Sequence, residues 1–198
     1  VFAIALGVTG MGILLYWVNP ISAWLTLASF VGYAFIYTGY LKHATPQNIV
    51  IGGLSGAMPP LLGWSAVTGT IEPDALVLVL IIFAWTPPHF WALAIHRKDE
   101  YAKSGVPMLP VTHGEFVTKV HIIVYTVVLV IVSVFPYFSG MSGLLYLASA
   151  LVLGFGFLIW SGLLMFKPKA TTAMDTFKYS IVYLTVLFVA LVADHYLF

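Results

Sequence analysis

The stretch ALVLVLIIFAWTPPHFWALAI, residues 75–95, decides the fold of this chain. It has no charged side chain, and it can cross a hydrocarbon core about 30 Å thick, which takes roughly 20 apolar residues. Similar apolar runs occupy about 2–18, 20–40, 47–68, 117–137, 142–166 and 176–197. Backbone groups in lipid must bond to one another, and these runs are too continuous for the alternating strands of a barrel. The sequence therefore predicts an all-α, polytopic membrane bundle of seven transmembrane helices.

The composition supports this interpretation and excludes several classes of protein. Of the 198 residues, 61% are hydrophobic, 8% are charged and none is cysteine, and the mean hydropathy is +1.02. Soluble domains carry about 25% charged residues, so an ordinary water-soluble enzyme is excluded. The few basic residues do not form the positive surface that a nucleic-acid partner requires. Without cysteine, neither a disulfide nor a thiolate metal site can form.

The basic residues all fall on one side of the predicted membrane. The segments that follow the second, fourth and sixth runs carry every lysine and arginine, namely Lys42, Arg97, Lys98, Lys103, Lys119, Lys167, Lys169 and Lys178. By the positive-inside rule this side faces the cytoplasm. Glu72, Asp74 and Asp194 fall on the opposite side, where we expect hydration to account for them.

Two further acids and two prolines have local structural explanations. Thr112-x-x-Glu115 and Thr172-x-x-Asp175 each fit a capping box, in which the second side chain bonds to a free backbone amide at the helix start. Asn19-Pro20 and Thr45-Pro46 fit the N-cap and first position of a helix. We therefore expect four helix starts at these places.

The remaining acids are Asp99 and Glu100, which follow the fourth run. If that helix continued beyond the interface, His89, His96, Glu100 and Lys103 would share one stripe. Such a stripe suits a metal-bound polyphosphate, because Mg²⁺ takes carboxylate oxygens and basic side chains neutralise the remaining charge. A solvated amphipathic turn with internal ion pairs is the alternative.

Two proline pairs lie inside apolar runs, Pro59-Pro60 in the third and Pro87-Pro88 in the fourth. Each pair removes backbone donors, so we expect both helices to break and to bend around an internal cavity. His89 follows the second pair directly, and a buried hydrogen bond and a ligand contact are equally open for it. Small residues Gly52, Gly53 and Gly56 are typical of a place where another backbone approaches closely.

Five strings carry a resemblance to a known family. They are YTGYLK (37–42), TPQNIVIGG (45–53), GAMPPLLGW (56–64), WTPPHFWALAI (85–95) and VPMLPV (106–111). In this order they resemble the UbiA-type intramembrane prenyltransferases and, among these, the protoheme IX farnesyltransferase (haem O synthase) family. The resemblance runs along essentially the whole chain and is densest from residue 37 to residue 114.

The resemblance implies a fold of nine helices, of which this chain holds the third to the ninth. It implies one transmembrane prenyltransferase domain over 1–198, with a cytoplasmic active-site loop at 96–116. The first Asp-rich motif of the family, N-x-x-x-D-x-x-x-D, does not occur in the chain, which starts at Val1 without an initiator methionine. We therefore expect two helices and that loop to precede Val1 in a longer protein.

The implied activity is transfer of a farnesyl group from farnesyl diphosphate to a vinyl group of protoheme IX, with addition of water, giving haem O and diphosphate. Mg²⁺ is the expected cofactor, and haem b is a substrate. Resemblance to the second Asp-rich site of the family, taken with the polar residues around it, implies three sets of residues. The catalytic residues are Arg97, Glu100, Tyr101 and Lys42, and the metal ligands are Asp99 and Glu100. The substrate contacts are Tyr37, His43, His89 and Lys103. Lys103 stands where related enzymes place a second acid, which puts one carboxylate of this site in doubt.

The implied partners are farnesyl diphosphate, protoheme IX and the lipid bilayer, with haem A synthase or a terminal oxidase assembly receiving the product. The implied location is a bacterial cytoplasmic (inner) membrane. Two alternatives stay open: a prenyltransferase for a quinone-type aromatic acceptor, and a non-catalytic haem-binding or transport protein. The PPHFW and PMLP strings favour haem over the first, and mid-membrane regions without charge disfavour a transporter.

Overall fold

The structure, a computed structural model, describes residues 1–197 except for the side chain of His43. In this part of the chain the long helices are α1 (Phe2–Val18), α2 (Pro20–Leu41), α3 (Asn48–Thr68), α4 (Pro73–His96), α5 (Gly114–Phe138), α6 (Leu144–Phe166) and α7 (Thr172–Leu197). Helices α2 to α7 are long and apolar enough to cross a membrane, and α1 is a shorter apolar helix. The predicted all-α, polytopic membrane bundle is confirmed.

The two ends of the bundle differ in charge. Because short connections make consecutive helices antiparallel, the connections that follow α2, α4 and α6 share one end. We call this the basic end, since it carries all the lysine and arginine side chains, and we call the opposite end the outer end. Short helices Lys42–Ala44, Lys98–Lys103 and Leu109–Thr112 lie in the connections of the basic end.

Helix α4 is the centre of the bundle. In the most apolar 18-residue stretch of α4, 56% is buried inside the protein, whereas the corresponding share for α2 is 11%. In the largest hydrophobic cluster Leu78 and Ile81 of α4 pack with Leu129 of α5, Phe157 of α6 and Tyr183 of α7. A helix that is apolar on all sides is stable when other helices cover it, and α4 accordingly contacts α3, α5 and α7.

The two proline pairs have different effects. Helix α3 is interrupted at Ala57 and Met58, and its second segment begins at Pro59, so the predicted break is confirmed. Helix α4 runs without interruption through Pro87 and Pro88, and the break predicted there is wrong. Both prolines of α4 are buried, and packing against neighbouring helices maintains the helix although two backbone donors are missing.

Only part of the predicted capping is present. Asn19 caps α2 as expected, because its Oδ1 accepts from the Ser22 amide at 2.9 Å and Pro20 follows as the first helical residue. After Thr45, by contrast, the helix begins only at Asn48, and the Thr45 hydroxyl accepts from the amide of Gln47 at 3.2 Å.

Neither predicted capping box forms. Thr112 ends a short helix and its hydroxyl donates to the Met108 carbonyl at 3.2 Å, so α5 begins later, at Gly114. The carboxylate of Glu115 instead lies 3.5 Å from the Nζ atoms of both Lys98 and Lys119. At α7 the predicted cap also does not form, because Thr172 is already the first residue of the helix and does not precede it.

Asp194 corrects another expectation. Its residue is only 3% exposed, although we expected hydration at the outer end. Oδ2 accepts from the Ser142 hydroxyl at 2.8 Å and from the Gly143 amide, and Oδ1 accepts from the Tyr146 amide at 3.1 Å. A carboxylate near the end of α7 thus caps the N-terminus of α6, where free amides favour an anion.

Candidate functional site

The predicted charge cluster lies beyond the end of α4. The helix ends at His96, and Arg97 leaves helical geometry with φ −104° and ψ 26°. The Arg97 carbonyl then accepts from the amides of Glu100 and Tyr101, which starts the separate helix Lys98–Lys103. The stripe that a continuous helix would have formed from His89 to this cluster is therefore not present.

Arg97 and Glu100 are brought together in a loose ion pair. Arg97 Nη1 and Glu100 Oε2 are 3.7 Å apart, and their side chains are 54% and 72% exposed. Asp99 and Lys103 are exposed on the same short helix. Exposed pairs of this kind contribute little to stability because water screens them, so these four charges remain available to a charged ligand.

Asp99 and Glu100 do not form a cation site by themselves. Among the described side chains, which do not include that of His43, no group of three or more histidine, aspartate or glutamate residues comes together in a way that holds a metal ion. Consecutive residues of a helix also point about 100° apart, so these two carboxylates diverge. A Mg²⁺ ion would need oxygens from a ligand, and the metal role of the two acids stays a prediction.

Tyr101 and Lys42 are the other two predicted catalytic residues. Tyr101 is half-buried and packs against the cluster that contains Trp91, Met108 and Leu109. Lys42 follows α2 directly, and its carbonyl accepts from Asn48 Nδ2 at 3.0 Å. Its side chain is half-buried and forms no ion pair with a described residue. Both residues lie at the basic end, as predicted.

The position of Tyr37 depends on a glycine. A Cβ atom added to Gly52 would overlap the ring of Tyr37, so the ring occupies the place where a larger residue would stand. A Cβ at Gly53 would lie 2.9 Å from the Thr86 methyl group. Gly52 and Gly53 thus admit side chains of α2 and α4 rather than the backbone that the sequence predicts, and a Cβ at Gly56 would meet nothing within 4 Å. The last part of α2, from Gly32 to Leu41, is π-helical, a geometry often found at functional sites.

His89 lies deeper, about 10 Å along the axis of α4 from His96. The residue is 8% exposed. Its ring is stacked between Trp85, at a centroid distance of 4.1 Å, and Phe177 of α7, at 4.5 Å. Its Nδ1 atom lies 2.6 Å from the hydroxyl oxygen of Ser180. The buried hydrogen bond is therefore present, and the ligand contact stays a prediction.

The partners of His89 were not predictable from the sequence. Ser180 is 91 positions away, and Phe177 and Ser180 occur in a segment with no motif of its own. Spacing relates residues within one helix and gives no information about which faces of two distant helices meet. The predicted substrate contact at His43 concerns a side chain outside the described residues.

Comparisons with known proteins identify the family of this chain. Residues 1–192 match the UbiA prenyltransferase family. Over 196 residues the chain is 62% identical to a protoheme IX farnesyltransferase of Hahella chejuensis and 65% identical to one of Ectopseudomonas mendocina, covering 99% of itself and 66% of each relative. The chain thus spans slightly less than two thirds of the length of these curated relatives.

A solved structure supports the fold. A chain from a study of digeranylgeranylglyceryl phosphate synthase in membranes superposes with a TM-score of 0.83, covering 98% of this chain and 67% of that one. The two sequences are 20% identical, so this likeness concerns the fold alone. With the apolar helices, the family match over 1–192 and the relatives at 62–65% identity, the conclusion is that this chain belongs to the UbiA prenyltransferase family.

Proposed function

We propose that this protein transfers a farnesyl group from farnesyl diphosphate to a vinyl group of protoheme IX, with addition of water, giving haem O and diphosphate. The observation that carries this proposal is the 62–65% identity over 196 residues to relatives named protoheme IX farnesyltransferase. The exposed charges at the basic end are chemically suited to the diphosphate. The long apolar helices are suited to a farnesyl chain.

The basic end would receive the diphosphate. As the bond between the first farnesyl carbon and oxygen breaks, its electron pair leaves with the diphosphate, and negative charge accumulates there. Arg97, Lys103 and Lys42 would offset that charge, which is electrostatic stabilisation of a leaving group. Tyr37 and Tyr101 would hold the diphosphate by hydrogen bonds from their hydroxyls. Because Asp99 and Glu100 do not form a cation site alone, we assign no step to Mg²⁺.

The next step is attack by the acceptor, protoheme IX, on the positive charge left on the farnesyl carbon. The vinyl π electrons of protoheme IX form the new carbon–carbon bond, which leaves a cation beside the porphyrin ring. Water adds to that cation and loses a proton, so the product gains one farnesyl group and one hydroxyl group in total. In this scheme we assign His89, which is buried between aromatic rings, to the side of the acceptor.

The same proposal includes location and partners. The protein lies in a bacterial cytoplasmic membrane with its basic end in the cytoplasm, as the one-sided distribution of lysine and arginine favours. Haem O made in the membrane is then available to haem A synthase or to a terminal oxidase assembly.

Mass spectrometry of haem tests the activity. Membranes that contain the protein receive haem b, farnesyl diphosphate and Mg²⁺, and the extracted haems are weighed. We expect a haem heavier by one farnesyl group plus one hydroxyl group, absent when farnesyl diphosphate is omitted or when Arg97→Gln replaces the wild type. Lys167→Gln, a basic-end change outside the predicted site, is the matched control and should keep activity.

Two other outcomes would contradict the proposal. Prenylation of a quinone-type aromatic acceptor with haem left unchanged would indicate another prenyltransferase. Haem that is bound and released unchanged by folded protein would indicate a binding or transport protein.

A further inference from the structure

Two hydrogen bonds of Ser180 determine which ring nitrogen of His89 carries the proton. The Ser180 hydroxyl oxygen lies 2.6 Å from the Phe177 carbonyl oxygen and 2.6 Å from His89 Nδ1. A carbonyl oxygen only accepts, and a serine hydroxyl has a single proton to donate. That proton therefore goes to Phe177, and the serine oxygen accepts from His89. It follows that Nδ1 of His89 carries the hydrogen.

The other ring nitrogen, Nε2, then has a free lone pair. The ring is neutral in this arrangement, because no described carboxylate pairs with it and an unpaired charge is costly among aromatic rings. Nε2 has no hydrogen-bond partner in the described part of the chain. The fully buried polar atoms that lack a partner there belong to other residues, namely Ser29, Asn48, Trp64, Trp91 and Tyr146. Because His89 Nε2 is not one of these atoms, it is not fully buried.

The direction of this lone pair is fixed by the surrounding residues. Trp85 and Phe177 lie nearly parallel to the imidazole, with interplanar angles of 20° and 26°. Trp85 Nε1 also donates to the Ser180 carbonyl at 2.8 Å, which ties α4 to α7 at this point. The stacking holds the plane of the ring, and the serine holds its rotation within that plane.

We propose that His89 Nε2 is the axial ligand of the iron of the haem substrate and that Ser180 is a positioning residue, which keeps the proton on Nδ1. This inference rests on the proposed function. Metal-binding histidines characteristically donate their second ring N–H to a nearby acceptor, which fixes the tautomer and the orientation of the ring. Ser180 provides that acceptor before any haem is bound.

The proton position can be measured without haem. Protein labelled with ¹⁵N-histidine in detergent gives separate nitrogen shifts for protonated and unprotonated ring nitrogens, and His89→Gln identifies the signal. We expect protonated Nδ1 and bare Nε2 in the wild type and in Ser180→Thr, and a mixture of tautomers in Ser180→Ala. A wild-type signal with the proton on Nε2 would overturn the inference.

Haem ligation is the second test. Protoheme is titrated into purified protein, and the Soret band and the iron–histidine resonance Raman band of ferrous haem are recorded. We expect His89→Ala to lose the iron–histidine band and to regain it with added imidazole. We expect Ser180→Ala to weaken haem binding by about 10–100-fold and to shift the band, while Ser180→Thr stays close to wild type.

Ser133→Ala is the matched control. It also removes a buried hydroxyl that bonds across two helices, since Ser133 and the Tyr183 hydroxyl are 2.6 Å apart, but it does not touch His89. Its haem spectrum should be that of the wild type. A change as large as that of Ser180→Ala would show that loss of any buried hydroxyl has this effect, and would overturn the positioning role.

The outcomes separate this inference from the proposed function. If haem O forms and folded His89→Ala keeps the iron–histidine band, the ligand assignment is wrong while the activity stands. If the wild type neither binds nor farnesylates protoheme, both are wrong.

Discussion

The acids at the two ends of the bundle are used in opposite ways. At the outer end Asp194 is 3% exposed and accepts hydrogen bonds from Ser142, Gly143 and Tyr146. At the basic end the side chain of Glu100 is 72% exposed, and its nearest cation, on Arg97, is 3.7 Å away. The acid at the outer end is fully satisfied by the protein, and the acid at the basic end is not.

From this difference we expect the outer end to serve stability and the basic end to serve binding. A buried carboxylate with several donors is costly to remove, because the donors are left without a partner. An exposed carboxylate in a loose pair contributes little to the fold, so it remains available to a ligand. We therefore expect substitutions at the outer end to change stability and substitutions at the basic end to change activity.

The largest expected effect on stability is that of Asp194→Ala. It removes the acceptor of three hydrogen-bond donors at the start of α6, and we expect the thermal midpoint of the purified protein to fall by about 5–10 °C. Asp74→Ala is the control, since Asp74 is also an outer-end acid and accepts no hydrogen bond from a described side chain. Equal midpoints for the two variants would contradict the capping role.

Gly52→Ala should have an intermediate effect on stability and a clear effect on activity. The new Cβ overlaps the ring of Tyr37, which must move, at a cost of about 1–3 kcal/mol if the surroundings yield poorly. Displacement of a proposed diphosphate contact should raise the KM for farnesyl diphosphate. Gly56→Ala, where a Cβ would meet nothing within 4 Å, should change neither quantity.

A double variant sharpens this prediction. Gly52→Ala combined with Tyr37→Ala removes the overlap, so the double variant should be more stable than the sum of the two single changes predicts. Strict additivity would show that the ring of Tyr37 does not occupy the space above Gly52.

Glu100→Gln should have the smallest effect on stability. An exposed ion pair contributes about 0–1 kcal/mol, so the free energy of unfolding should stay within that range of the wild type. Turnover should nevertheless fall strongly, because the predicted role of Glu100 as a metal ligand needs its negative charge to hold Mg²⁺ beside the diphosphate. A variant that unfolds readily and retains full turnover when folded would show that Glu100 is a structural residue.

The sequence predicted those features that depend on one helix at a time. The apolar run 75–95 predicted a transmembrane helix, Pro59 predicted the interruption of α3, and Asn19 predicted the start of α2. All three are confirmed, because apolar length, a missing amide and a side-chain cap act within a few residues of chain.

Features that depend on contacts between distant helices were missed. Pro88 lies in an uninterrupted α4 because neighbouring helices pack on it, and Asp194 is buried because α7 ends beside the start of α6. The bond between His89 and Ser180 likewise joins two helices 91 positions apart. The exposed charges of the candidate site could be predicted from the sequence, but the fixed proton on His89 could not.

One paired measurement tests the division between the two ends most directly. Membranes with wild type, Asp194→Asn and Glu100→Gln are assayed for haem O per folded molecule, and the thermal midpoint is measured on the same preparations. We predict that Asp194→Asn has a lower midpoint with wild-type turnover, and that Glu100→Gln has a wild-type midpoint with strongly reduced turnover. The reverse pattern, with turnover lost at the outer end and stability lost at the basic end, would contradict this assignment of roles.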